Sequence, residues 1–105
     1  MKILFDQGTP LPLRAFLCNH DVFTLNYLGW SELANGQLLN KAQSENFACL
    51  VTTDQNLKYQ QNLSTRQIAL FVLSTTNWNR IKLRAFAIAG EIDKLTPKAY
   101  VEFIV

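Results

Sequence analysis

The sequence predicts an α/β protein, a mainly parallel sheet with helices on both sides, built as one domain over residues 1–105. Three observations carry this. Short apolar segments alternate with stretches of helical periodicity in the order β-α-β-α-β-(short α)-β-α-β, the pattern of parallel strands joined by crossover helices. Residues 68–73 are apolar at every position, as a strand covered on both faces requires. With 105 residues, 49% of them hydrophobic and 17% charged, the chain has material for one core and lacks the composition of a disordered segment.

The elements follow in order. Ile3, Leu4 and Phe5 make a buried strand that ends abruptly in Asp6, and Gly8 with Pro10 marks a turn. Thr9 as N-cap and Pro10 at the first helical position start a helix over about 10–18, with Leu13, Phe16 and Leu17 on one face. Residues 22–25 have the β-branched and aromatic content of a second strand, and 26–34 read as loop or short helix. Asn35 is a good N-cap for a second helix, along which Leu38, Leu39 and Ala42 form a stripe. Residues 47–52 form a third strand, followed two positions on by Asp54, and 56–63 read as a short helix or ordered loop. The fourth strand is 68–73. Residues 78–95 then give one long helix with Ile81, Ala85, Ile88 and Ile92 on a shared face, stopped by Thr96 and Pro97, and 100–105 form the last strand.

Several function classes are excluded. The longest apolar run is far short of the ~20 residues that cross a bilayer, so no membrane is expected. Lys2 is followed by only three apolar residues before Asp6, which is no secretory signal, and a cytoplasmic location is expected. Cys18 and Cys49 belong to no metal-spaced pair and read as two small buried thiols. There is no Ser-His-Asp or Cys-His pattern, no G-x-G-x-x-G and no P-loop, and His20 reads as a surface residue of a polar turn. A net charge of +2 permits contact with nucleic acid without demanding it.

In an open parallel sheet the ligand site lies beyond the carboxyl ends of the strands. Asp6, Asp54 and Asn35 should therefore open onto one edge. Two aspartates so placed can share a hard divalent cation, since Mg²⁺ takes oxygen ligands and keeps several waters. They can equally be turn residues bonded to local amides, as Asn35 can be simply an N-cap. Tyr59, Gln60, Gln61 and Asn62 make a polar and aromatic patch next to this edge, suited either to unpaired bases or to solvent. Arg80 and Arg84, near Trp78, point the same way on the long helix, toward phosphates or toward water.

The strings from Phe5 to Pro10, from Gly29 to Leu39 and from Thr52 to Leu63 resemble a branch of the small bacterial PIN-like proteins, a family similar to the PIN-domain ribonucleases and VapC-type toxins. The resemblance covers almost the whole chain. It implies a reduced PIN-like domain, a three-layer α/β/α sandwich, with Mg²⁺ or Mn²⁺ at an acidic cluster that hydrolyses RNA. Two family acids match Asp6 and Asp54; two others fall on Asn35 and Asn56, and Glu32 is the nearest counterpart of a further one. Gln7 stands where many such relatives carry Glu. The expected protein is a metal-dependent ribonuclease of the toxin–antitoxin type. Asp6 and Asp54 would bind metal with Asn35 and Asn56 in support, while Gln55, Tyr59, Gln60, Arg80 and Arg84 would contact RNA. A small antitoxin-like protein is the expected partner, and a homodimer is open, with Trp30 or Tyr59 as interface aromatics. The competing expectation is an inactive PIN-like fold that binds RNA or protein without metal.

Overall fold

The chain folds around strands β1 (Lys2–Phe5), β2 (Asp21–Thr24), β3 (Cys49–Thr52), β4 (Ala69–Leu73) and β5 (Tyr100–Phe103) in a computed structural model that describes residues 1–57 and 66–105. All neighbouring strands are parallel, in the order β2-β1-β3-β4-β5. The strand order reverses between β1 and β3, which is the switch point of a doubly wound sheet. Phe5 pairs with Val51 there, and Asp6 N–H continues the ladder to Val51 O at 2.9 Å.

Side chains alternate across the strands, so the sheet buries two separate cores. One face carries Ile3, Phe5, Cys49, Val51, Ala69, Phe71 and Leu73, covered by Leu13 and Leu17 after β1 and by Ile81, Ala85, Ile88 and Ile92 after β4. The other carries Leu4, Leu50, Ile68 and Leu70, covered by Leu25, Leu38, Leu39, Ala42 and Leu57. The result is an α/β/α sandwich with a buried parallel sheet, as the apolar strands require.

The α-helices that lie wholly within the described residues are α1 (Leu25–Leu28), α2 (Asn35–Ser44), α3 (Trp78–Ile81) and α4 (Ala85–Asp93). Thr24 caps α1 by accepting from Tyr27 N–H at 3.2 Å, and Gly29 ends it at φ 75°, a left-handed conformation that glycine adopts without strain. Two sequence expectations are corrected in the helices. The first helix is a 3₁₀ turn over Leu11–Phe16 and Thr9 does not cap it; the Thr9 hydroxyl donates instead to Val51 O at 2.9 Å, pinning the loop to β3. The long final helix is interrupted by 3₁₀ geometry at Lys82–Arg84, although its four core residues are buried as expected.

The crossovers are not all of one hand. The β1–β2 and β2–β3 connections travel in opposite directions across the sheet and lie on opposite faces, so they share a hand. The β4–β5 connection travels in the same direction as β2–β3 but covers the face used by the 3₁₀ turn, so its hand is reversed. Right-handed crossovers are the strong rule, and this edge connection departs from the hand of its neighbours. Phe16 of the 3₁₀ turn holds it there, with ring centroids 6.3 Å from Trp78 and 5.1 Å from Phe86.

Three surface expectations also change. Trp30 is half-buried against Phe47, with ring centroids 5.8 Å apart, and packs with the α2 core. His20 bridges two elements, accepting at Nδ1 from the terminal ammonium at 2.9 Å and meeting Asp93 Oδ1 through Nε2 at 2.5 Å. Cys18 is exposed whereas Cys49 is buried, and burial pushes the Cys49 thiol up to about 12. The thiolate is the reactive form, so Cys49 stays protonated and sealed at neutral and mildly alkaline pH. Iodoacetamide at pH 8 is expected to modify one thiol in the folded chain, Cys18, and both in denaturant; mass spectrometry that found Cys49 alkylated in the folded state would contradict this core.

Candidate functional site

The site forms where β1 and β3 end. Leu4 and Leu50 face α2, and the period of two places Asp6 and Thr52 on that same side, two residues further along each strand. Thr52 is fully buried in an otherwise apolar strand, so its hydroxyl needs partners inside the protein. It donates to Asp6 Oδ2 at 2.8 Å and accepts from Asp54 N–H at 3.1 Å. One hydroxyl thus ties the two aspartates of the two strands together.

The remaining carboxylate contacts are to neutral donors. Asp6 Oδ1 accepts from Gln7 N–H at 2.8 Å, Asp54 Oδ1 from Asn56 N–H at 2.9 Å, and Asp54 Oδ2 from Asn35 Nδ2 at 3.3 Å. Each carboxylate oxygen can accept more than one bond, so acceptor capacity is left over. Among the described residues the one ion pair is His20 with Asp93, and neither Asp6 nor Asp54 meets a cation. The end of α2 offsets part of this uncompensated charge, because a helix N-terminus favours a nearby anion by roughly 0.3–1 kcal/mol.

Asn35 is the informative correction. It is the first residue of α2 and not its N-cap, which is Ala34. Gln37 Oε1 accepts from Ala34 N–H at 3.3 Å, and the Asn35 side chain is turned to Asp54. Asp6, Asp54 and Asn35 therefore meet at one edge, as the strand-end argument required. Asn56 contributes its backbone N–H, and Glu32 lies exposed in the loop before α2.

The outer residues are placed differently. Gln55 donates from Nε2 to Thr53 O at 2.9 Å and to Leu73 O, stitching the ends of β3 and β4, so only its carbonyl oxygen is left for a ligand. Tyr59 and Gln60 lie outside the described residues. Arg80 is exposed on α3, while Arg84 lies 4.9 Å over the Phe103 ring and donates to Ile104 O at 3.4 Å, beyond the end of β5. The β1 loop presses on β3 closely: a Cβ on Gly8 would stand 2.2 Å from Thr53 Oγ1, so any side chain there would have to displace the Thr53 hydroxyl. A cleft of about 430 Å³ lined by Gln43, Phe47, Ile68, Leu95 and Pro97 opens at the opposite, amino edge of the sheet, and its lining carries no ionisable side chain.

Thr52 and Gly8 are the site residues that motif reading passed over. A hydroxyl inside an apolar run two positions before an aspartate is the signal that points to Thr52. Thr52→Val keeps the shape and removes both bonds, leaving the part-buried Asp54 N–H and an Asp6 carboxylate oxygen short of a partner. It is expected to cost about 1–3 kcal/mol in urea unfolding, and a change within error would show that the two aspartates are held some other way. No protein-family model, curated protein or solved structure matches the chain.

Proposed function

We propose that this edge is a weak divalent-metal site serving hydrolysis of RNA phosphodiesters, in a protein of the PIN-like toxin type held in check by a small cognate protein. One observation carries the reading: two aspartates at adjacent strand ends, joined by the Thr52 hydroxyl through the Asp6 carboxylate and the Asp54 backbone N–H, have no cation among the described residues. Holding two negative charges at one sheet edge is less unfavourable when a positive ligand shares them.

The donor set fits a hard cation, and fits it loosely. Asp6 and Asp54 would hold it, with side-chain amides nearby and water completing the shell. No group of three or more His, Cys, Asp or Glu that could hold a metal occurs among the described residues, so the cation would rest on two charges. Bound Mg²⁺ or Mn²⁺ supplies an activated water and neutralises charge on a phosphate. Asn35 orients Asp54, Asn56 N–H fixes its second oxygen, and the exposed Arg80 reaches toward the backbone of a bound strand.

A second reading is favoured by a specific observation. Asn35 donates an N–H to Asp54, where a family acid would add a third charge, and such an edge can bind RNA or a protein without metal.

Calorimetric titration of Mn²⁺ separates the two. Binding is expected at about 0.1–1 mM, abolished in Asp6→Asn and in Asp54→Asn with the fold retained by circular dichroism. Absence of heat in the wild type would remove the metal reading and leave the binding module. Asn35→Asp adds a charge beside Asp54 and is expected to tighten Mn²⁺ by about tenfold while lowering the metal-free stability by about 1 kcal/mol. No change in either Mn²⁺ affinity or metal-free stability would place Asn35 away from the charges in solution.

A further inference from the structure

The helical layer after β4 leaves a face that a single chain does not cover. Ile81, Ala85, Ile88 and Ile92 fill the core, yet the opposite side of the same layer carries Leu83, Phe86, Ala87 and Gly90 at i, i+3, i+4 and i+7. Leu83 is 80% and Phe86 83% exposed, and a Cβ on Gly90 would touch nothing within 4 Å. A helix apolar all round is normally a buried helix. The patch is also continuous with its surroundings. Phe86 meets the half-buried Phe16, while the exposed Ile104 lies beside Arg84. Large exposed apolar patches on otherwise polar surfaces mark interaction sites.

We infer that this face is a homodimer interface, in which two copies of the chain stack their α3–α4 layers antiparallel about a two-fold axis between Phe86 and Ala87. Charge and size select that occupant. About this axis Leu83 falls opposite Gly90 and Phe86 opposite Ala87, a large side chain against a small one each time. The charges divide along the helix: Arg80, Lys82 and Arg84 precede the axis, Glu91 and Asp93 follow it. At ~100° per residue Arg80 and Glu91 flank one side of the stripe, Lys82 and Asp93 the other. Antiparallel stacking brings Arg80 of each copy beside Glu91 of its mate on one flank and Lys82 beside Asp93, whose Oδ1 also meets His20, on the other, and it opposes the helix dipoles. Lys94 falls opposite Asn79 and meets no like charge. Such an interface is isologous and closes on itself, so it stops at two copies.

The test uses the intact chain in analytical ultracentrifugation across the micromolar range. The wild type is expected to sediment at twice the mass of one chain. Phe86→Glu is expected to weaken association by about 30-fold or more, as loss of a central aromatic does, with an unchanged circular dichroism spectrum because the residue is exposed. Arg80→Glu and Glu91→Arg are each expected to weaken the dimer, and the double variant Arg80→Glu/Glu91→Arg to restore it. A wild type that stays monomeric overturns the proposal and leaves the face to a different protein. Single charge variants without effect, or a double variant that fails to restore the dimer, overturn the antiparallel arrangement.

Discussion

Pairing of β1 with β3 is the constraint on which the rest depends. The two strands are not neighbours in sequence, and joining them sends the chain out to β2 and back across β1 before the sheet can grow toward β4 and β5. Their register sets Phe5 beside Val51, and from that one alignment the site follows. Asp6 and Thr52 then project on the same side at the same height, one carboxylate beside one hydroxyl. A shift of one residue would turn Asp6 toward the face packed by the 3₁₀ turn and expose an apolar residue in its place. The Thr9 hydroxyl bond to Val51 O and the contact of Gly8 with Thr53 hold the outgoing loop against β3. The fold and the site are thus specified by the same few contacts.

Much of this was legible in the residues, because burial on both faces leaves a simple mark. Ala69 to Leu73 is apolar throughout and lies in the sheet interior, and the two strand-end aspartates converge as parallel strands demand. What was not legible is how polar side chains choose among partners. Thr9 and Asn35 both stand where helix caps stand, and local propensity favours that use. Each instead takes a partner remote in sequence, Val51 O for Thr9 and Asp54 for Asn35, because the folded sheet brings an acceptor that no local pattern encodes. His20 is a similar case, since its partner Asp93 lies 73 residues away. Periodicity also could not foresee the 3₁₀ break at Lys82–Arg84, where the same core residues stay buried through a tighter turn.

The reversed hand of the β4–β5 connection links the fold to its surface. Had that crossover followed the hand of the others, its helices would lie on the α2 face and shield Leu70 and Tyr100. They lie instead beside the 3₁₀ turn, where Phe16, Trp78 and Phe86 form an aromatic seam. The core there is served by one side of the helix alone, so on the other side Leu83 and most of the Phe86 side chain, apart from its edge contact with Phe16, stay exposed in a single chain. Leu83 and Phe86 therefore need a reason outside the monomer.

The candidate site shows the opposite economy, with each carboxylate oxygen bonded to a neutral donor and no cation among the described residues beside it. Neutral donors satisfy the geometry of Asp6 and Asp54, and their negative charges, at the ends of two adjacent strands, are offset in part by the end of α2. Each carboxylate accepts on both of its oxygens, and an Asn at either position would offer one acceptor oxygen and put an NH2 donor in place of the other. Retaining both carboxylates while amides occupy positions 35 and 56 concentrates the charge on the pair that Thr52 holds together. The pair lies at the point where the strand order reverses, which in an open parallel sheet is where a ligand can enter from outside.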